Sequence, residues 1–183
     1  MLEVAHWYYF ISLEKDFIRT LDFVELATAN HTTYSDNFAK LLLAVGSEVD
    51  TIAKAICHQL SATSEADTIM KYRDELTAGF LGIHTIDILV MRTAQTLNPW
   101  TEWGIPTPTS PSWWKGYNNV KHNRIINLND ANQENCINAL AGLFALNLYY
   151  YRDQKMVAPF PKLLNFHFPQ YLVDTVMTRP PGA

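Results

Sequence analysis

Between Glu3 and about Asn30, Phe10, Leu13, Phe17, Leu21 and Val24 recur at intervals of three and four residues. That spacing puts them on one face of an amphipathic helix, with Lys15, Arg19, Asp22 and Glu25 mostly outside it. Asn30, His31 and the two threonines that follow break the pattern. Ser35 then stands as an N-cap, with Asp36 in the first turn where a carboxylate complements the helix dipole. Phe38, Leu42, Val45, Val49, Ile52, Ile56 and Leu60 carry the same spacing through a second long helix. A third, shorter helix is expected after Ser64, running through Ile69 and Tyr72 to Leu76.

Gly79 and Gly82 interrupt this regularity. Ile86, Ile88 and Val90 alternate with Asp87, Leu89 and Met91, which reads as a short strand or as continued helix. Asn98 to Ser110 is a proline-punctuated loop. Ser110 followed by Pro111 marks a helix start, with a capping hydroxyl and a proline where no amide donor is missed. That helix is expected to reach about Ile126. Asn127, Asn129 and Asp130 end it, and Asp130 with Gln133 is arranged as a capping box for the next. Ile137, Leu140, Ala141, Phe144, Leu148 and Tyr151 give the last helix a broad apolar stripe. From Met156 onward periodicity is lost, and Phe160, Leu163, Phe166, Phe168 and Tyr171 suggest an irregular strap or a surface for association.

The pattern therefore predicts an all-α protein, an antiparallel bundle of four or five helices. It adds a short β element around residues 83–92 and an irregular C-terminal tail. Residues 1–155 form the helical domain and residues 156–183 a proline- and aromatic-rich tail packed on that domain or on a partner.

Composition narrows the function classes. The chain has 183 residues, 48% of them hydrophobic and 17% charged, which is globular rather than disordered. A formal charge of −4 argues against non-specific wrapping of nucleic acid. Charge is uneven, however: residues 1–102 carry seven basic and fourteen acidic side chains, residues 103–183 seven basic and four acidic. An anion or phosphate site is therefore expected in the second part. Cys57 and Cys136 form neither a disulfide framework nor a zinc site, and read as reduced small hydrophobes of a cytosolic protein. The N-terminus lacks the basic region of a signal peptide. The longest uncharged stretch, Asn135 to Tyr151, is 17 residues with three asparagines, too short and polar to span a membrane. No membrane partner and a cytoplasmic location are expected.

The segment Ser112-Trp-Trp-Lys-Gly-Tyr-Asn-Asn-Val-Lys-His-Asn-Arg124 carries the candidate chemistry. At about 100° per residue, Trp113, Tyr117, Val120 and Arg124 share one side. Lys115, Asn118, Asn119 and His122 share another. Trp113 and Trp114 read as anchors of the core or a loop, with base stacking the alternative. Gly116 costs roughly 1 kcal/mol of helix stability relative to alanine, which suggests close approach by a neighbour or a surface glycine without a role. His122 has an unperturbed proton affinity near neutral pH and suits general acid or base work, or else is a hydrogen-bonded packing residue. Lys115, Lys121 or Arg124 can hold a phosphate and stabilise developing charge. Asn118, one turn before His122, can fix its tautomer or bind a ribose hydroxyl. Such a set suits metal-independent phosphodiester cleavage with the ribose 2′-hydroxyl as nucleophile.

Elsewhere the chain offers little. Glu48 and Asp50 point in different directions on the second helix, so they are not a paired-carboxylate site. Cys57 and His58 lack metal-ligand spacing. No phosphate-binding glycine loop, nucleophile elbow or HExxH is present. Neither a metal nor a cofactor is expected.

The run Tyr117-Asn118-Asn119-Val120-Lys121-His122-Asn123-Arg124, late in a helical chain and just before a long apolar helix, resembles the signature helix of HEPN domains. In that superfamily the motif is an arginine, four to six residues, then a histidine, with a polar residue commonly after the arginine. The resemblance implies a helical bundle that dimerises with two motifs face to face. It makes His122 the catalytic histidine and Asn118 the polar motif residue. The arginine position falls at Tyr117, so this is a variant lacking the usual arginine, with Lys115 within the permitted spacing as the substitute cation. His122, Asn118 and Lys115 are the candidate catalytic residues, and Lys121, Arg124, Asn119 and Tyr117 the candidate substrate-binding ones. Two functions follow from the resemblance. One is a metal-independent endoribonuclease of a toxin or phage-defence type, acting at a homodimer cleft, with an antitoxin or other protein partner. The other is a catalytically inactive module that binds nucleotide, RNA or a partner protein.

Overall fold

The computed structural model describes residues 4–153 and 158–166. Five helices dominate: α1 (Ala5–Thr20), α2 (Asp36–Leu60), α3 (Ile69–Gly79), α4 (Ser112–Asn123) and α5 (Gln133–Tyr150). Three short strands, β1 (Ile88–Val90), β2 (Gln95–Leu97) and β3 (Leu164–Phe166), form an antiparallel sheet in the order β2-β1-β3. The chain is thus mostly helical but not purely so. The stretch from 86 to 90 resolves in favour of the strand, with Ile88 opposite Leu97 on one side and Phe166 on the other.

α2 and α5 form the central pair, with α1 and α4 packed against both and α3 against α2. The apolar spacing explains the arrangement. Phe38, Leu42, Val45, Val49, Ile52 and Ile56 of α2 are all buried, as are Ile137, Leu140, Ala141 and Phe144 of α5. Among the described residues, no helix is long and apolar enough to cross a membrane.

Helix boundaries depart from the sequence expectation wherever another group satisfies the backbone. α1 stops at Thr20 rather than near Asn30. The chain turns there because the buried amide of Gln133, on α5, donates to the carbonyls of Val24 and Glu25. Arg92 holds the same turn by a forked pair of hydrogen bonds, both 2.7 Å, to the Glu25 carboxylate. Ser35 caps α2 as expected, accepting from Phe38 N–H. α3 begins at Ile69 with Thr68 as its cap, five residues after Ser64, whose hydroxyl is occupied by Glu75. α4 begins at Ser112, not Pro111, and no hydroxyl caps it. The Glu102 carboxylate takes that role, accepting from both the N–H and the hydroxyl of Ser112. α4 ends at Asn123, where the Asn127 amide donates to the carbonyls of Asn119 and Asn123, so Ile125 and Ile126 lie beyond it. The expected Asp130–Gln133 capping box is replaced by Asn132, which accepts from Asn135 N–H.

The described part of the tail is more regular than an irregular strap. Residues 164–166 add an edge strand to β1, and Leu163 and Leu164 are buried, while Phe160 is exposed. Trp7 Nε1 donates to the carbonyl of Pro159. Phe168 and Tyr171 lie outside the described residues.

Candidate functional site

α4 is positioned by its aromatic face. Trp113 and Trp114 are buried, and Trp113 Nε1 donates to the Pro99 carbonyl at 2.8 Å. The Trp100 ring lies tilted against Trp103, 4.1 Å between centres, and meets Trp113 edge-on, so the proline-rich loop is folded under the helix. Tyr117 is buried too, its ring lying directly on Gly46 of α2, where any side chain would collide with it. The ring of Tyr117, a candidate substrate-binding residue, thus packs α4 against α2. Gly116 has an equally definite reason. A Cβ there would come within 2.6 Å of Asn135 Nδ2, which donates to the carbonyl of Asp130.

The opposite edge of α4 faces solvent. Lys115, Asn119, Lys121, His122 and Arg124 are exposed, and Asn118 is half-buried. The side chains of His122 and Lys115 make no hydrogen bond or ion pair with any described residue. Because Lys115, Asn118 and His122 are spaced i, i+3 and i+7 on one continuous helix, they share this edge. The other candidates are engaged. Asn119 donates to Asp130 Oδ2 at 2.8 Å. The Lys121 ammonium sits 5.4 Å from the centre of the Tyr117 ring, a cation–π contact. Arg124 reaches across to α2 and pairs with Asp36 at 2.5 Å.

The cations of α4 therefore do not form an uninterrupted basic patch. Asp36 and Asp130 lie against two of its polar residues, and neither acid was linked to the segment in the sequence, because both come from other elements. Asp36 carries a signal as a first-turn acid, but its second role needs the α2–α4 crossing. Among the described residues no group of three or more His, Cys, Asp or Glu side chains could hold a metal ion.

Glu48 and Asp50 do diverge, as their spacing implies. Glu48 pairs with His6 at 2.5 Å, while Asp50 accepts from Lys54 and from the Tyr72 hydroxyl. The Tyr72 hydroxyl is pushed well above its usual range by burial, with the neighbouring Asp50 carboxylate adding to it. Both cysteines are buried and free. Burial raises the Cys57 thiol to about 12, with Glu75 reinforcing the shift, and burial pushes Cys136 up as well. A groove of about 600 Å³ between α1 and α2, walled by Leu13, Phe38 and Leu41 with the exposed rings of Tyr9 and Phe23 at its rim, also escaped the sequence reading.

Compared with protein-family models, curated proteins and solved structures, the chain matches none.

Proposed function

We propose that the protein is a HEPN-like, metal-independent endoribonuclease that uses the solvent edge of α4. The observation that supports this is the state of His122: an imidazole open to solvent, without a partner among the described residues, one turn after Asn118 and two turns after Lys115. A packing histidine would be buried or hydrogen-bonded. In the reaction the ribose 2′-oxygen attacks the adjacent phosphorus, and the bond from phosphorus to the 5′-oxygen breaks. One imidazole accepts the 2′-hydroxyl proton and a second, protonated, donates to the departing 5′-oxygen. Each chain supplies one such histidine, so a two-fold dimer supplies the pair. The products are a 2′,3′-cyclic phosphate and a 5′-hydroxyl end. Lys115 would offset charge on the non-bridging oxygens as a point charge, without the bidentate grip of a guanidinium. Proton transfer of this kind contributes about 10²- to 10⁴-fold to rate. The test is cleavage of single-stranded RNA in excess chelator. The wild-type protein should yield cyclic-phosphate ends, and His122→Ala should lose cleavage with its far-UV spectrum unchanged. Equal cleavage by the variant removes the proposal.

One observation favours a second reading, a binding module without turnover. Lys121 and Arg124 are both engaged within the chain, which leaves Lys115 as the cation on the His122 face. Under that reading no cleavage occurs, and RNA binding weakens with salt and with Lys115→Ala.

A further inference from the structure

Arg124 directly follows the helix that carries His122, yet its guanidinium is held by an acid from a different helix. Asp36 Oδ1 lies 2.5 Å from Arg124 Nη1, and the two side chains are 67% and 49% exposed. An exposed pair like this one is weak and exchanges readily with solvent ions. A carboxylate on a guanidinium also occupies the position that a phosphate would take, since both present oxygens to the same fork of donors.

We propose that Asp36 is a built-in competitor for the RNA backbone, holding Arg124 in reserve until a phosphate displaces it. The inference rests on the α4 edge being the RNA-binding surface. Arg124 follows His122 by two residues, about 3 Å along the axis and roughly 200° around it. The helix stops at Asn123, so a strand crossing its end meets His122 on one side and Lys121 with Arg124 on the other. Phosphates of that strand would take Arg124 from Asp36. The acid then raises the threshold for binding, so that short or weakly charged anions leave the pair closed and a polyanion opens it.

The consequence runs opposite to that of a structural ion pair: removing the acid should strengthen binding. The experiment measures binding of a labelled, single-stranded 2′-O-methyl oligoribonucleotide, which cannot be cleaved through its 2′-oxygen, across a salt series. Asp36→Asn leaves the Ser35 cap in place and should bind about two- to fivefold tighter than wild type. Its salt dependence should be steeper than that of wild type, where added salt weakens the competing Asp36–Arg124 pair as well as the RNA contacts. Arg124→Ala should bind more weakly, and the double variant should match Arg124→Ala. Asp22→Asn, which changes net charge equally at another exposed acid, should give less than half of that gain. A double variant that keeps the gain, or Asp36→Asn indistinguishable from wild type or from Asp22→Asn, overturns the competitor role. If Lys115→Ala and His122→Ala still weaken binding in that case, the α4 reading stands without it. Absence of binding by every protein, wild type included, removes both.

Discussion

The carboxylate of Glu14, in the middle of α1, accepts the main-chain N–H of Leu163 at 2.9 Å, across 149 positions of sequence. The N–H groups of Lys162 and Leu164 converge on it as well, at 2.8 and 3.0 Å. Glu14 is only 2% exposed. A buried carboxylate is costly unless its oxygens are satisfied, and three amide donors satisfy it. The same contact fixes the strand that completes the sheet.

Replacing Glu14 should therefore loosen the tail and the fold together. Glu14→Ala would leave buried amides without an acceptor and is expected to cost on the order of 3 kcal/mol. Glu14→Gln retains one acceptor and turns an amide group toward the remaining donors, at a cost of about 1–3 kcal/mol. Urea unfolding gives the values, and limited proteolysis should cut between 153 and 166 faster in both variants. Unchanged midpoints would show that the three hydrogen bonds contribute nothing net.

Gly46 and Tyr117 form a second such pair. Gly46→Ala gains helix propensity but drives its methyl into the Tyr117 ring, and the net effect should be a loss of about 1–3 kcal/mol. Tyr117→Ala alone should leave a cavity. Combined, the two changes should cost clearly less than the sum of the single effects, because the clash exists only while both groups are present. Additive costs in chemical denaturation would contradict the contact.

Variants of the solvent edge should behave differently. The side chains of His122 and Lys115 are exposed and unpaired among the described residues, so His122→Ala and Lys115→Ala should stay within about 0.5 kcal/mol of the parent stability. Thermal unfolding of the two variants checks this, and it makes any lost RNA cleavage or binding a statement about chemistry.

The thiols should be silent in the native state. Desolvation disfavours the thiolate, so a Cys57 thiol at about 12 holds almost no reactive anion at pH 8, and Cys136 is shifted in the same direction. A disulfide reagent at pH 8 should titrate no cysteine in the folded protein and both after denaturation. Rapid reaction of either without unfolding would contradict the burial.

How much of this was legible in the chain varies by residue. The apolar spacing from Phe38 to Ile56 and the Ser35 cap marked α2 nearly to the residue, since both depend on neighbours within one or two turns. Glu14 stood four residues after Phe10 and three before Phe17, inside the apolar face of α1, so its position was visible. Its partners were not, because main-chain donors carry no side-chain signature. The end of α1 was not legible because the group bonded to the chain beyond it, Gln133, is more than a hundred residues away, and the start of α4 because the Glu102 carboxylate, ten residues upstream, takes the capping role.

At the candidate site the division is similar. Helical periodicity alone determined that Lys115, Asn118 and His122 share one edge of α4 and that Trp113, Tyr117 and Val120 share another, since a rigid helix fixes the angle between its own residues. Which edge faces water, and which of the polar residues are already taken, was decided by the crossing of α4 with α2 and by the α4–α5 turn. Asp36 reaches Arg124, Asp130 reaches Asn119, and Tyr117 sinks onto Gly46 only once separate elements are packed together. Charge pairing acts through space, and spatial neighbours are set by the tertiary fold.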